Sequence, residues 1–243
     1  MEAAYLPLVE MGIVELEVAR IDFTKENAHK LRALIEKYGI KAVSIQVKPK
    51  YVFGDVDGVV EFCNTVGCKN VVISMLPFDC ILGGEDKFYA FVDSLDRQFD
   101  IYAERGITLA YHHHNWEYIR LSNGKTRMAE LLSRTSKIKF VHDTYWTARS
   151  GVSPAVQIRE FGHRLLGIHL RDLAFKKKFL DVVPHDTVVG EGVIDFGAVL
   201  DAAREVGCEY TVIEQKTDTP YEDVKRGYEN LMKIKFQVKE GSL

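Results

Sequence analysis

One phrase recurs along the chain and leaves few folds open to it: an amphipathic stretch, a glycine, two or three residues, then a β-branched apolar run. It is built around Gly12, Gly39, Gly67, Gly106, Gly162 and Gly207. A helix ended by a left-handed glycine and followed at once by a strand buried on both faces has this pattern. Before Gly39, for example, Leu31, Leu34, Ile35 and Tyr38 recur at helical spacing while Lys25, Glu26, Lys30 and Glu36 point elsewhere. Thr24 stands where an N-cap is needed. Ile138 to Asp143 adds a strand without the glycine, for seven strands with intervening helices. Such alternation predicts parallel strands and right-handed crossovers, an α/β fold.

Composition narrows the class further. The 243 residues are 47% hydrophobic and 28% charged, with no Pro-rich or Gly/Ser-rich linker, so a single domain over residues 1–243 is expected. With 32 Lys+Arg against 35 Asp+Glu, a net charge of −3 lacks the basic footprint of a nucleic-acid binder. No basic and apolar leader opens the sequence, and no run of about 18 apolar residues occurs, so neither export nor a membrane partner is expected. Cys63, Cys68, Cys80 and Cys208 form no C-x-x-C pair and sit in apolar segments, which predicts reduced thiols in a cytoplasmic protein.

A doubly wound open sheet and a closed (β/α) barrel both satisfy this alternation. The open sheet normally carries a Gly-rich phosphate loop after its first strand, and neither G-x-G-x-x-G nor a Walker sequence is present. Seven places beyond five of the glycines stand Gln46, Ser74, His113, His169 and Glu214. Polar groups at the C-terminal ends of several strands favour the barrel, where those ends converge on one active face.

Four groups at or just past strand ends carry the chemistry: Glu117, Asp143, His169 and Glu214. Three carboxylates and an imidazole from successive strands can surround one divalent ion and leave positions open for substrate oxygens. Oxygen-rich ligation favours Mn²⁺, Mg²⁺ or Co²⁺, and Zn²⁺ also fits. Each group has a structural alternative. Asp143 could simply cap the next helix, and His169 could be a core imidazole satisfied by a carbonyl. Glu214 resists such an account, because Thr211, Val212 and Ile213 run directly into it and an unpaired buried carboxylate costs several kcal/mol.

The phrases Tyr111–Glu117, His142–Trp146, Gly167–Asp172, Val189–Asp195 and Val212–Gln215 resemble, in order and spacing, the sugar phosphate isomerase/epimerase group of the xylose isomerase-like TIM barrels. The resemblance runs from about residue 5 to about residue 235. It implies metal ligands at Glu117, Asp143, His169 and Glu214, a small carbohydrate substrate, and an enediolate stabilised by the metal. It further implies that Glu117 and Glu214 form the acid/base pair, one removing a proton beside the carbonyl and the other returning it. Arg171, two residues past His169, shares its face and could hold a substrate oxygen, or else pair with Asp172 or Glu191. His112, His114, Trp146, Glu191 and Gln46 complete the expected substrate contacts, while Lys176, Lys177 and Lys178 on the same connection as Glu191 are expected to be solvated.

The chain departs from that family in one respect. It starts almost directly in the helix that leads to the family's second strand, so the first strand is expected to be absent and about seven parallel strands to remain. Seven strands cannot close an eight-stranded barrel without a gap, which an upstream segment or a homodimer partner could cover. Three other functions share parts of the pattern. A metal-dependent dehydratase on a keto-sugar or keto-inositol would use the same ligands for proton abstraction. An endonuclease IV-like repair enzyme would need further histidines where Gln46, Ser74 or Met75, and Trp146 stand. A non-catalytic carbohydrate-binding barrel would leave the carboxylate cluster unused.

Overall fold

Each of the recurring phrases becomes a helix-to-strand step in the computed structural model, which describes residues 2–240. The chain divides into two units after Phe140. In the first, β1 (Glu15–Val18), β2 (Lys41–Val47), β3 (Asn70–Ile73) and β4 (Thr108–His112) pair in parallel and in chain order. Strand β5 (Lys139–Asp143) carries the chain into the second unit. There β6 (Leu165–Leu170) is followed by the antiparallel ribbon of β7 (Asp172–Lys178) and β8 (Asp181–Thr187), and then by β9 (Tyr210–Ile213), which pairs in parallel with β6.

The helix over Lys25–Tyr38 shows why the steps form where they do. The Thr24 hydroxyl accepts from the Asn27 backbone N–H at 3.2 Å, satisfying one of the free donors of the first turn. Ala28, Leu31 and Leu34 bury the inner stripe. Gly39 ends the helix at φ 65°, a left-handed conformation that a side chain would resist, and its N–H donates to the Ile35 carbonyl. The following strands are buried on both faces: Ile45, Val47, Val71, Val72, Ile73, Leu109 and Ala110 are all 0% exposed. Two-sided burial is what crossover helices impose on parallel strands.

The connection from Asp172 to Asp195 differs from expectation. Rather than a long loop, its first part is a ribbon, with Lys178 opposite Asp181 across a turn at Phe179 and Leu180. No Asn-Gly or Asp-Gly pair announces this turn. Phe179 instead takes a φ of 56°, a conformation a bulky residue rarely adopts. Lys176, Lys177 and Lys178 are exposed on β7, as their solvated reading requires. The four cysteines are separate thiols, and burial pushes Cys68 and Cys208 up to about 11, outside the range of reactive thiolates. Among the described residues no helix is long and apolar enough to cross a membrane.

Leu31 is 1% exposed at the centre of the helix stripe, whereas Ile35 is only half-buried. Leu31→Ala is expected to lower unfolding free energy by about 2–5 kcal/mol, and Ile35→Ala by distinctly less. Urea denaturation followed by circular dichroism measures both.

Candidate metal centre

The second unit assembles its polar cluster from three strand ends. His169 stands opposite Val212 in the β6–β9 ladder, and the Glu214 N–H donates to the Leu170 carbonyl at 3.2 Å, so pairing continues one residue past β9. That extra step sets Glu214 beside His169, with Oε2 at 2.8 Å from Nδ1. Asp143 is brought in by Thr144. The Thr144 hydroxyl accepts the Arg171 N–H at 2.9 Å and lies 2.6 Å from the Arg171 carbonyl and 3.2 Å from that of His169. One ligand-capable atom each from Asp143, His169 and Glu214 lies within 4.8 Å of the others. Two carboxylates and an imidazole at that spacing are a donor set suited to a divalent cation.

Asp143 is also the helix cap anticipated as its structural alternative, since Oδ1 accepts from the Trp146 N–H at 3.0 Å. The cap engages Oδ1, whereas Oδ2 points elsewhere, to Arg171 Nη1 at 3.2 Å. Arg171 pairs with neither Asp172 nor Glu191. Its guanidinium lies between Asp143, Asp186 (Nη2 to Oδ2, 2.5 Å) and Glu214 (Nη1 to Oε1, 3.6 Å), with Tyr145 and Trp146 against its face at 5.0 and 5.3 Å. Burial pushes the Glu214 carboxyl up, but the hydrogen bond and charge of His169, together with Arg171, outweigh it and hold the group below the usual range. At Asp186 burial wins over Arg171, and that carboxyl is raised.

Asp172 has a separate task. Buried at 0% exposure, it accepts backbone N–H groups from Leu173, Gly190, Gly192 and Ile194 and so fixes the loop after the ribbon. Glu191 on that loop is paired with Arg226, Nε to Oε1 at 2.6 Å.

In the first unit Glu117 lies past β4 in a single 3-10 turn, Trp116–Tyr118, and is 0% exposed. Its Oε1 accepts from the Tyr111 hydroxyl and its Oε2 from the His114 N–H at 2.8 Å. Burial raises its pKa, and these donors only partly oppose the shift. His112 closes β4, buried, with the His114 ring edge-on at 4.8 Å between centroids. Gln46, at the end of β2, donates to Glu17 Oε1 at 2.6 Å, and Ser44 donates to Oε2 of the same carboxylate at 2.6 Å.

Sequence reasoning missed Tyr111, Thr144, Asp186 and Glu17. Tyr111 and Thr144 lie inside phrases already singled out, and for Thr144 a strand-end hydroxyl beside the carboxylate of Asp143 was the available signal. Asp186 had none, since its approach to Arg171 depends on the ribbon register that pairs it with Leu173.

Comparison with known proteins places the fold. The model of the family described as "Xylose isomerase-like TIM barrel" matches residues 6–234. The chain belongs to this family. Its fold is therefore the (β/α) barrel, with seven parallel strands among the described residues, β1 to β6 and β9. A sugar phosphate isomerase/epimerase from Parabacteroides distasonis superposes with a TM-score of 0.75 at 19% identity, covering 96% of this chain and 91% of that one. The IOLI protein, whose structure has a binding zinc atom, gives a TM-score of 0.70 at 16% identity over 100% of this chain and 94% of its own. An inosose dehydratase from Geobacillus thermodenitrificans is 27% identical over 168 residues, 64% of this chain and 55% of its own. The chain thus spans about half the length of that curated relative.

The raised pKa of Glu117 has a stability consequence. Its folded carboxyl prefers the proton, so stability is full below the ordinary glutamate range and falls as pH rises through the folded value. In metal-free protein, Glu117→Gln is expected to raise the melting temperature at pH 7 by a few degrees, the Tyr111 hydroxyl turning to accept from the new amide. That gain should vanish near pH 4, and calorimetry across the range checks it.

Proposed function

We propose that the protein is a metal-dependent isomerase or epimerase of a keto sugar or sugar phosphate, moving a proton at the carbon next to the carbonyl. The observation that carries this reading is the Asp143, His169 and Glu214 group held at strand ends by Thr144 and Arg171. The proposed ligand set adds Glu117, because C-terminal strand ends share one face in this family's barrel. A divalent ion there, Mn²⁺, Mg²⁺, Co²⁺ or Zn²⁺, supplies Lewis-acid stabilisation of negative charge developing on substrate oxygens. The zinc atom of the IOLI neighbour supports a metal of this kind.

The chain's own groups do the rest in this proposal. Glu214, held ionised by His169 and Arg171, is the base that removes the proton. Glu117, whose carboxyl is raised by burial above the usual range, is the partner that returns one. Arg171, fixed on three carboxylates and two rings, orients a substrate oxygen, with His112, His114 and Trp146 as further contacts. Gln46 and Glu191 would first have to leave Glu17 and Arg226. The proposal includes a cytoplasmic location and a homodimer that covers the gap in the barrel.

The inosose dehydratase match favours a second outcome for the same first step, loss of a neighbouring hydroxyl as water from a keto-inositol. Incubation with keto sugars and a keto-inositol in deuterium oxide, read by mass spectrometry, tests both. Deuterium at the carbon beside the carbonyl without enone absorbance is the expected result, and Glu214→Gln should slow it about 10²–10⁴-fold. Enone absorbance selects the dehydratase. No exchange into any of these substrates from metal-loaded protein contradicts both.

A further inference from the structure

The first unit contains a cavity of about 930 Å³ that no residue of the proposed metal centre or substrate contacts lines. It opens between the segments that follow β2 and β3 and the long helix Glu85–Ala103. Its walls are apolar: Phe53, Met75, Leu76, Phe78 and Phe91 are among them, and Phe78 leaves 69% of its surface uncovered. A soluble domain rarely leaves so much aromatic surface concave and open without an occupant.

The charges on its lining point to what that occupant is. Lys48, Lys50 and Lys87 stand around the cavity, against a single carboxylate, Asp79. None of the three lysines makes an ion pair among the described residues; Lys50 Nζ rests over the Tyr51 ring at 4.6 Å. Elsewhere Lys25, Lys30, Lys37, Lys41, Lys125 and Lys137 each find a carboxylate within 4.0 Å. In a chain of net charge −3, three unpaired ammonium groups beside one apolar cavity make a local positive field.

We propose that this cavity binds a small amphipathic anion, an apolar aromatic or acyl body with an anionic head. The aromatic walls take the body, whose apolar surface leaves water on binding. Lysines on flexible stems meet the head near the mouth, a geometry suited to a carboxylate or phosphate of no fixed orientation. A second copy of the chain is the weaker fit. Its most exposed apolar segment, Phe179 and Leu180 at 86% and 89% exposure, directly follows Lys176, Lys177 and Lys178 and would bring positive charge to positive charge. The proposal does not depend on the metal centre or on its chemistry.

The test uses 2-naphthoate and its neutral counterpart 2-naphthylmethanol on the whole chain. Binding is followed by calorimetry and by the methyl resonance of Met75 in ¹³C-labelled protein. The expected result is that naphthoate shifts Met75 and binds at least fivefold more tightly than the alcohol in 20 mM salt. Most of that preference should be lost at 500 mM, where the attraction is screened. The triple change Lys48→Gln, Lys50→Gln and Lys87→Gln should abolish the preference while leaving alcohol affinity unaltered. Because the salt comparison uses the unchanged protein, it decides the matter even if the triple variant fails to fold. Equal affinities, a preference that salt does not touch, or naphthoate binding without a Met75 shift would each overturn the proposal. So would a Met75 shift that follows protein concentration alone, which would assign the cavity to a contact between copies.

Discussion

The second unit's polar centre depends on one guanidinium. Arg171 lies among Asp143, Asp186 and Glu214, three carboxylates that would otherwise repel one another in a largely buried setting. Removing one partner of a buried ion pair typically costs 3–5 kcal/mol, because the remaining charge is left uncompensated. Glu214 is partly open to solvent, so its share of that figure is smaller than that of Asp143, which is fully buried. With His169, the cation also holds the Glu214 carboxyl below its usual range. Positioning and electrostatics therefore come from the same residue.

Backbone geometry explains how Arg171 reaches that place. The Thr144 hydroxyl joins the start of the helix after β5 to the carbonyls at the end of β6, and the ladder to β9 continues one step to hold Glu214. The ribbon of β7 and β8 then returns Asp186 to the guanidinium. Asp172 secures the far end of this excursion through four backbone N–H groups. In this chain an antiparallel ribbon contributes directly to the electrostatics of the strand ends.

Much of the fold was legible because it is written in local terms. A cap at Thr24, a helical stripe through Leu31 and Leu34, and a left-handed Gly39 all declare themselves within one short segment, and the same grammar repeats along the chain. The polar strand ends were visible for the same reason, since Glu214 interrupts an apolar run. The ribbon was hidden because its turn uses Phe179 at positive φ rather than a residue suited to it. The true partners of Arg171 were hidden because they follow from three-dimensional pairing: the ribbon register returns Asp186, and Asp143 lies at the end of a different strand. Tyr111 was visible but read as part of the strand, although its hydroxyl is what satisfies the buried Glu117.

The claim that these strand ends exist to hold a divalent ion is tested most directly by metal content per chain, measured by plasma mass spectrometry on protein purified without chelator. About one divalent ion per chain is expected in the parent, with a sharp reduction in both His169→Ala and Glu214→Gln and folding verified by circular dichroism. A parent protein that holds no metal even after reconstitution, or variants that retain it fully, would contradict the account.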